Sequence, residues 1–132
     1  MATIPEPYLD LLQQKTAFAE LATVMADGSP QVTPVWFDYA GGVIRVNSAK
    51  GRTKTRNMTL GAAVALAILD PDNPYRYLQV RGKVTRVSEQ GADAHIDALA
   101  KKYLGKDKYP WSRPGEVRVS FEITPSAVQA MG

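Results

Sequence analysis

The chain has 132 residues, of which 45% are hydrophobic and 22% are charged, a balance typical of one globular domain spanning 1–132. It contains no cysteine, which excludes disulfides, thiolate metal sites and cysteine nucleophiles. The sequence shows neither a run of about 20 apolar residues nor the basic and apolar regions of a signal peptide, so we expect a cytoplasmic protein without a membrane partner.

The first part of the chain has the pattern of a short helix followed by β-hairpins. Apolar side chains recur at helical spacing over 8–12, after two prolines. Three runs rich in β-forming residues follow, and Asp27-Gly28 and Gly41-Gly42 separate them as turns. The runs are 18–25, 31–39 and 43–47. Together they predict a meander of three antiparallel strands.

The second part predicts two more helices and further strands. Helices are expected at 53–60 and at 92–105, where Gly105 is the stop signal. Strands are expected at 63–70, 75–89 and 116–123, with a loop at 71–74, a bulge or bend at Gly82 and a continuation of the sheet at 127–130. The fold class is therefore mainly β (α+β): an antiparallel barrel, closed or nearly closed, with short peripheral helices. A small barrel is filled by its own side chains, so we expect a site outside it or between subunits.

The positive charge of the chain is concentrated in one segment, Ser48 to Met58. Lys50, Arg52, Lys54 and Arg56 lie there without an intervening acid, and the formal net charge of the whole chain is +3. Without these four residues the chain has 12 basic against 13 acidic residues. Such a cluster can be a solvated helix surface or a site for a small anion. A nearly neutral remainder disfavours a nucleic-acid partner.

Other candidate residues carry weaker signals. His95 is the single histidine, and without a second histidine or a cysteine nearby we interpret it as a surface or packing residue. Asp70 and Asp72 bracket a proline, which is typical of a turn.

Aromatic residues form three pairs along the chain. Trp36 and Phe37 are neighbours within a predicted strand and face opposite ways, whereas Tyr75 and Tyr77 share a face. The third pair is Tyr109 and Trp111, in a proline-rich loop. These residues can form core and a subunit interface, or the wall of a site for a flat ring, and their positions alone favour neither.

Three ordered segments resemble a known family. They are DGSPQVTPVWFDYAGGVIRVNSAKGRTKTRNM (27–58), AVALAILDPDNPYRYLQVRGKV (63–84) and GADAHIDALAKKYLGKDKYPW followed by RPGEVRV (91–119). They are similar to the pyridoxamine 5′-phosphate oxidase-like split β-barrel family, and most of all to its branch of coenzyme F420 (deazaflavin)-dependent oxidoreductases of actinobacteria. The resemblance covers about residues 8–124.

The resemblance implies a homodimer with two coenzyme sites in clefts between the subunits. It implies that the coenzyme ring lies against Gln31, Val32, Thr33, Pro34 and Val35. The phosphate and tail are implied to contact Ser48, Lys50, Arg52, Lys54, Arg56 and Asn57. Tyr75 and Tyr77 are implied to come from the partner subunit. The anion of the basic segment is then a coenzyme phosphate, together with tail carboxylates.

One segment departs from the family pattern. After Met58 the family usually continues with an Arg-Asp-Pro segment, whereas this chain has Thr59 to Ala63 without arginine. The resemblance implies an enzyme that passes a hydride from reduced F420 to an electron-poor acceptor such as an enone, quinone or tetrapyrrole. The coenzyme supplies the hydride, so we expect neither a catalytic side chain nor a metal. Alternatives are an FMN flavoprotein of the same fold and an F420-binding or storage protein without turnover.

Overall fold

A computed structural model describes residues 2–132. A 3₁₀ turn at Glu6–Tyr8 precedes three helices, which are α1 (Leu9–Gln13), α2 (Thr53–Asn57) and α3 (Ala92–Leu104). Seven strands make up the rest of the fold: β1 (Ala19–Val24), β2 (Pro30–Val35), β3 (Phe37–Ala40), β4 (Val43–Ala49), β5 (Ala63–Asp70), β6 (Asn73–Ser88) and β7 (Arg118–Met131).

The strands form one antiparallel sheet in the order β2-β1-β5-β6-β7-β4-β3. The sheet curls around a core but is not closed, since β2 and β3 occupy its two edges and do not pair with each other. The predicted fold class, an antiparallel split barrel with short helices, is confirmed. Inward side chains fill the barrel, among them Phe37, Phe121 and Leu66, and α1 adds Leu11 and Leu12 at one end.

The predicted meander is wrong, because the run 31–39 is broken at Trp36. Val35 ends β2 and Phe37 begins β3, so Trp36 lies at the break and not within a strand. The two hairpins β1–β2 and β3–β4 are formed as predicted, but they lie at opposite ends of the sheet. Strand β1 also pairs with β5, and β4 pairs with β7. The two halves of the run that was predicted as one strand therefore pair at opposite edges of the sheet, 30–35 with β1 and 37–40 with β4.

Two predicted boundaries are also corrected. Helix α2 ends at Asn57 rather than at 60, because Met58 leaves the helical conformation and is buried in the core. Five residues make only a small dipole, so the basic segment gains little from the end of this helix. The predicted strand 116–123 begins at Arg118 and continues to Met131 as one strand, which includes the suggested extension at 127–130.

The bulge predicted at Gly82 is confirmed. The pairing between β6 and β7 shifts register between Arg81 and Gly82, and Pro125 lies opposite Gly82, where a missing backbone N–H is tolerated. A Cβ added at residue 82 would collide with the carbonyl oxygen of Thr124. Glycine is therefore required there by the close approach of the two strands.

Candidate functional site: a cationic pocket beside the second strand

A pocket of about 200 Å³ lies where the chain breaks between β2 and β3. Strand β2 and the break contribute one side of it, and α3 contributes another. The lining residues are Phe18, Pro34, Val35, Trp36, Asn47, Arg52, Lys54, Ile96, Leu99, Tyr109, Trp111 and Arg118. We call this site the β2–α3 pocket.

Three cations and no carboxylate line the β2–α3 pocket. Lys54 is partly buried, and this burial, together with the charges of Arg52 and Arg118, lowers the pKa of its ammonium group. Within residues 2–132, the side chains of Arg52 and Lys54 have neither an ion pair nor a hydrogen bond. Arg118 is compensated by Glu116, whose carboxylate lies 3.0 Å away. The pocket is therefore electropositive and suited to an anion.

Aromatic rings line another part of the same pocket. The ring centres of Trp36 and Trp111 are 6.2 Å apart, and Tyr109 contacts both rings edge to face at 6.0 and 5.7 Å. Trp36 also stacks on Tyr103 of α3, at 5.2 Å and almost parallel. The break at Trp36 thus places its ring between α3 and the loop that precedes β7. Flat apolar walls next to cations fit a ring system that carries an anionic group.

The structure brings together only some of the predicted site residues. Pro34, Val35, Arg52 and Lys54 line the β2–α3 pocket. The side chain of Lys50, in the turn before α2, is instead directed to Glu89, with its ammonium 2.5 Å from the carboxylate. Arg56 folds back and donates to the carbonyl oxygen of Gly51 at 2.6 Å. The basic segment is therefore divided, with two cations in the pocket and two outside it.

A second group of predicted residues forms a polar chain on the β1–β2 hairpin. Asn57 donates to the hydroxyl of the buried Thr23 at 3.0 Å, and this hydroxyl donates to Gln31 at 2.6 Å. The Gln31 amide donates in turn to the Thr33 hydroxyl. This chain anchors α2 on the hairpin and thereby fixes where the basic segment stands. It joins the predicted ring-binding and tail-binding residues, although none of its members lines the β2–α3 pocket.

The remaining predicted residues lie elsewhere. Ser48 is buried on the inward side of β4, and its hydroxyl is without a hydrogen-bond partner within residues 2–132. Val32 and Tyr75 are strongly exposed, and Tyr77 lies beside Leu69 in the β5–β6 pair. Strand β6 is three strands away from β2, or about 14 Å at ordinary strand spacing. Tyr77 therefore does not meet the β2 residues within one chain.

Sequence reasoning missed Arg118 and Asn47 as pocket residues. Arg118 alternates with apolar residues in β7 and has the pattern of a solvated outer face. Helix α3 covers that face, so the polar side chains of β4 and β7 become buried beneath it. Tyr109 and Trp111 were recognisable as aromatic residues in a loop, but nothing in their spacing indicated that they face Trp36.

His95 lies on the face of α3 that packs on the sheet, and it is buried there. A surface position is therefore excluded, and the interpretation as a packing residue is the correct part of the prediction. It packs through polar contacts. Nδ1 lies 2.8 Å from the Ser120 hydroxyl and 3.3 Å from the amide nitrogen of Asn47, and Nε2 lies 3.4 Å from the Asp38 carboxylate. Asp38 is also held by Arg45 through two hydrogen bonds of 2.8 and 2.7 Å. A continuous polar layer thus lies between α3 and the sheet.

Comparison with known proteins identifies relatives of this chain. Residues 4–132 match the family model described as pyridoxamine 5′-phosphate oxidase. A solved structure named F420 Reductase is 37% identical, with a TM-score of 0.81, and the alignment covers 96% of this chain and 98% of that one. None of the curated protein sequences matches.

More distant structures share the fold alone. The heme storage protein HutZ from Vibrio cholerae is 18% identical, with a TM-score of 0.67 and coverage of 96% of this chain and 94% of that one. The FAD and heme binding protein from Mycobacterium smegmatis is also 18% identical, with a TM-score of 0.67 and coverage of 98% and 72%.

Within residues 2–132, no helix has the length and apolar character needed to cross a bilayer. The family match spans nearly the whole chain, and the observed split barrel is the fold of its relatives. The chain belongs to the pyridoxamine 5′-phosphate oxidase family, in the part of it related to F420 reductase.

Proposed function

We propose that this protein is an oxidoreductase that binds coenzyme F420 and passes a hydride from its reduced form to an electron-poor organic acceptor of the enone, quinone or tetrapyrrole type. The observation that carries the proposal is the β2–α3 pocket, where Arg52, Lys54 and Arg118 face a space walled by aromatic rings. The similarity to a protein named F420 Reductase supports the choice of coenzyme. FMN is the alternative, since it also joins a flat ring to a phosphate.

The residues present fit an anionic coenzyme. Lys54 loses hydration without gaining an acidic partner, which is an unfavourable arrangement unless an anion completes it. Arg52 and Arg118 add planar donors that suit phosphate or carboxylate. We place the ring against Pro34 and Val35, together with Gln31, Val32 and Thr33 of the same strand.

The tail of the coenzyme is longer than the pocket. We place its phosphate at Arg52 and Lys54 and its extension along Lys50, Arg56 and Asn57. Ser48 is left out of this placement, because it is buried inside the barrel. Lys50 and Arg56 would have to leave their present partners, Glu89 and Gly51. Both side chains are at the surface, where such contacts contribute little, so the exchange costs little free energy.

We also propose that the protein acts as a homodimer. The outer face of β1, β2 and β5 is almost entirely apolar, with Glu20 as its one acid within residues 2–132; we call it the apolar sheet face. Its other members are Ala22, Val24, Pro30, Val32, Pro34, Ala63, Ala65, Ala67 and Leu69. A depression of about 340 Å³ lies over part of it.

The occupant of this face that we propose is a second copy of the chain. Pro34 belongs both to the face and to the β2–α3 pocket, so a partner seated there would border the site. Tyr75 is 84% exposed and lies, with Tyr77, on the β6 side of the face. These two tyrosines do not reach β2 within their own chain, so they can meet a coenzyme only at the partner's site.

The coenzyme, when bound, supplies the hydride. The chain's own residues then have three tasks: the cations bind the anionic part, β2 and the aromatic rings orient the ring, and the apolar walls exclude water from it. The pocket holds no carboxylate or histidine for acid–base chemistry. Substrate choice is therefore a matter of shape and of the space left beside the coenzyme.

The proposal is tested by titrating the purified protein with F420 and with FMN, and by following turnover of reduced F420 with a quinone or enone. We expect F420 to bind at about micromolar Kd, or about −8 kcal/mol, and more tightly than FMN. Tight FMN binding without F420 binding would favour the flavoprotein alternative. Binding of F420 without oxidation by any acceptor would indicate a binding or storage protein.

A further inference from the structure

Arg118 is the cation of the β2–α3 pocket that neighbouring side chains hold most firmly. Its Nε donates to Asn47 Oδ1 at 2.8 Å, and its Nη1 lies 3.0 Å from Glu116. The guanidinium carbon lies 5.2 Å from the centre of the Tyr109 ring. The side chain is only 6% exposed. Three contacts on one planar group fix the direction of its remaining N–H groups.

The Asn47 amide has a defined orientation for the same reason. Its nitrogen donates to the carbonyl oxygen of Ala92 at 2.9 Å and lies 3.3 Å from His95 Nδ1. Both hydrogens of the amide nitrogen are therefore directed to α3, and the oxygen is left for Arg118. A turn of the amide by 180° would place an NH₂ group against the Arg118 Nε–H, and two donors would face each other.

His95 can complete this arrangement only in one tautomer. Its Nε2 faces the Asp38 carboxylate, which accepts hydrogen bonds and does not donate them. Burial raises the pKa of Asp38, but the hydrogen bonds from His95 and Arg45 outweigh burial, and the pKa lies below its usual value. In the neutral ring Nε2 then carries the hydrogen, and Nδ1 is the acceptor that faces Ser120 and Asn47.

We propose that His95 is a positioning residue for the β2–α3 pocket, which acts through Asn47 to hold the Arg118 guanidinium in the direction that meets an anionic ligand. The relay runs from Asp38 through His95 and Asn47 to Arg118, across the buried layer under α3. The relay is independent of the ligand, whereas the effect on coenzyme affinity rests on the proposed function.

The relay is tested first without any ligand. In ¹⁵N-labelled protein, the Nε–H signal of Arg118 is assigned by its loss in Arg118→Met. We expect this hydrogen to exchange with water at least about tenfold faster in His95→Phe than in the wild type, because Asn47 loses one of its anchors. Tyr103→Phe is the matched control, since it removes another hydrogen bond of α3, from the Tyr103 hydroxyl to Ala17, without touching Asn47. It should leave the Arg118 signal unchanged.

Two further variants keep the test valid if His95→Phe does not fold. His95→Asn places an amide oxygen at the position of Nδ1, facing Asn47, and should restore slow exchange. His95→Gln carries its amide one bond farther out, at the position of Nε2, and should not. Wild-type exchange at Arg118 in folded His95→Phe or His95→Gln would overturn the proposal. Equal acceleration in Tyr103→Phe would also overturn it, because the effect would then be a general loosening of α3.

The functional consequence is tested by a double-mutant cycle with F420 and FMN as probes. We expect His95→Phe to weaken binding about threefold to tenfold in the wild-type background, and less than about twofold in Arg118→Met. The same loss in both backgrounds would show that His95 does not act through Arg118. If the wild type binds neither coenzyme, the proposed function fails, and the exchange measurement alone still decides whether His95 positions Arg118.

Discussion

Lys54 and Arg118 bring two positive charges to one pocket from distant parts of the chain. Burial is the main cause of the lowered pKa of Lys54, and the charges of Arg52 and Arg118 add to it. The helix that carries Lys54 has five residues and is anchored by Asn57 on Thr23. Like charges held together without an acid in the lining are the reason why we propose this pocket as the ligand site.

The first prediction concerns these cations. Arg52→Ala or Lys54→Ala should weaken F420 binding about tenfold to a hundredfold, since a charge-assisted hydrogen bond contributes about 1.5–3 kcal/mol. Isothermal titration measures the loss. Lys101→Ala is the charge-matched control, because Lys101 lies at the surface of α3 and pairs with Asp107. Unchanged affinity in both pocket variants would remove the basic segment from the site.

The same variants should leave folding intact. Removing one cation from a like-charged cluster relieves repulsion, so the Tm of Lys54→Ala should equal or exceed that of the wild type. The rate at saturating F420 should also be retained, because the tail contributes the same binding energy to ground state and transition state. A strong fall in kcat with unchanged KM would contradict the expectation that these cations bind the tail and do not assist the hydride transfer.

A separate prediction concerns the ion network that joins α1 to the β5–β6 turn. Lys15 donates to Asp70 at 2.8 Å, and this bond, with the backbone N–H of Asp72 and with Arg76, holds the pKa of Asp70 well below its usual value. A depressed pKa contributes stability that is present above about pH 4 and is lost as pH falls through the folded value. Chemical denaturation of the wild type should therefore show falling stability below about pH 4.

Asp70→Asn should lower the Tm by several degrees at neutral pH and flatten this acid dependence. Asp72→Asn is the matched control, because Asp72 shares the partner Lys15 but is 79% exposed against 5% for Asp70. Its effect should be small. An equal decrease in Tm in the two variants would indicate that burial of Asp70 adds nothing to the stability that its ion pair contributes.

The dimer is tested on the apolar sheet face. Ala65→Glu places a charge between Ala22 and Arg81 on the outer side of β5 and should give a monomer that no longer binds F420 tightly. Sedimentation velocity gives the oligomeric state. Val87→Glu is the control, since Val87 is an exposed valine of β6 that pairs with β7 outside this face. A wild-type monomer with tight F420 binding would refute the shared site.

Gly82 provides a prediction about the fold itself. Gly82→Ala would push the β6 backbone away from the Thr124 carbonyl oxygen, and overpacking of this kind typically costs about 1–3 kcal/mol. Urea unfolding should show a lower midpoint with the slope unchanged. Full wild-type stability would mean that the bulge can shift without cost.

The sequence alone determined the local elements of this protein. The hairpin at Asp27-Gly28 and the end of α3 at Gly105 follow from the backbone freedom of glycine, which needs no distant partner. The sequence also indicated the bulge at Gly82, but the close approach of Thr124 in β7 is what requires glycine there. Resemblance added the family and the two pocket cations Arg52 and Lys54.

Only the tertiary structure decided how these elements meet. The break at Trp36 exists because β2 and β3 form opposite edges of the sheet, paired with β1 and β4, and no local pattern encodes that separation. In the sequence, Arg118 and Asn47 have the pattern of a solvated strand face, and His95 is the lone histidine of a helix. These residues become buried because α3 covers the sheet. The hydrogen bonds of the Asn47 side chain join residues that are 45 or more positions apart in the sequence. Contacts across the fold, rather than local propensity, therefore created the pocket.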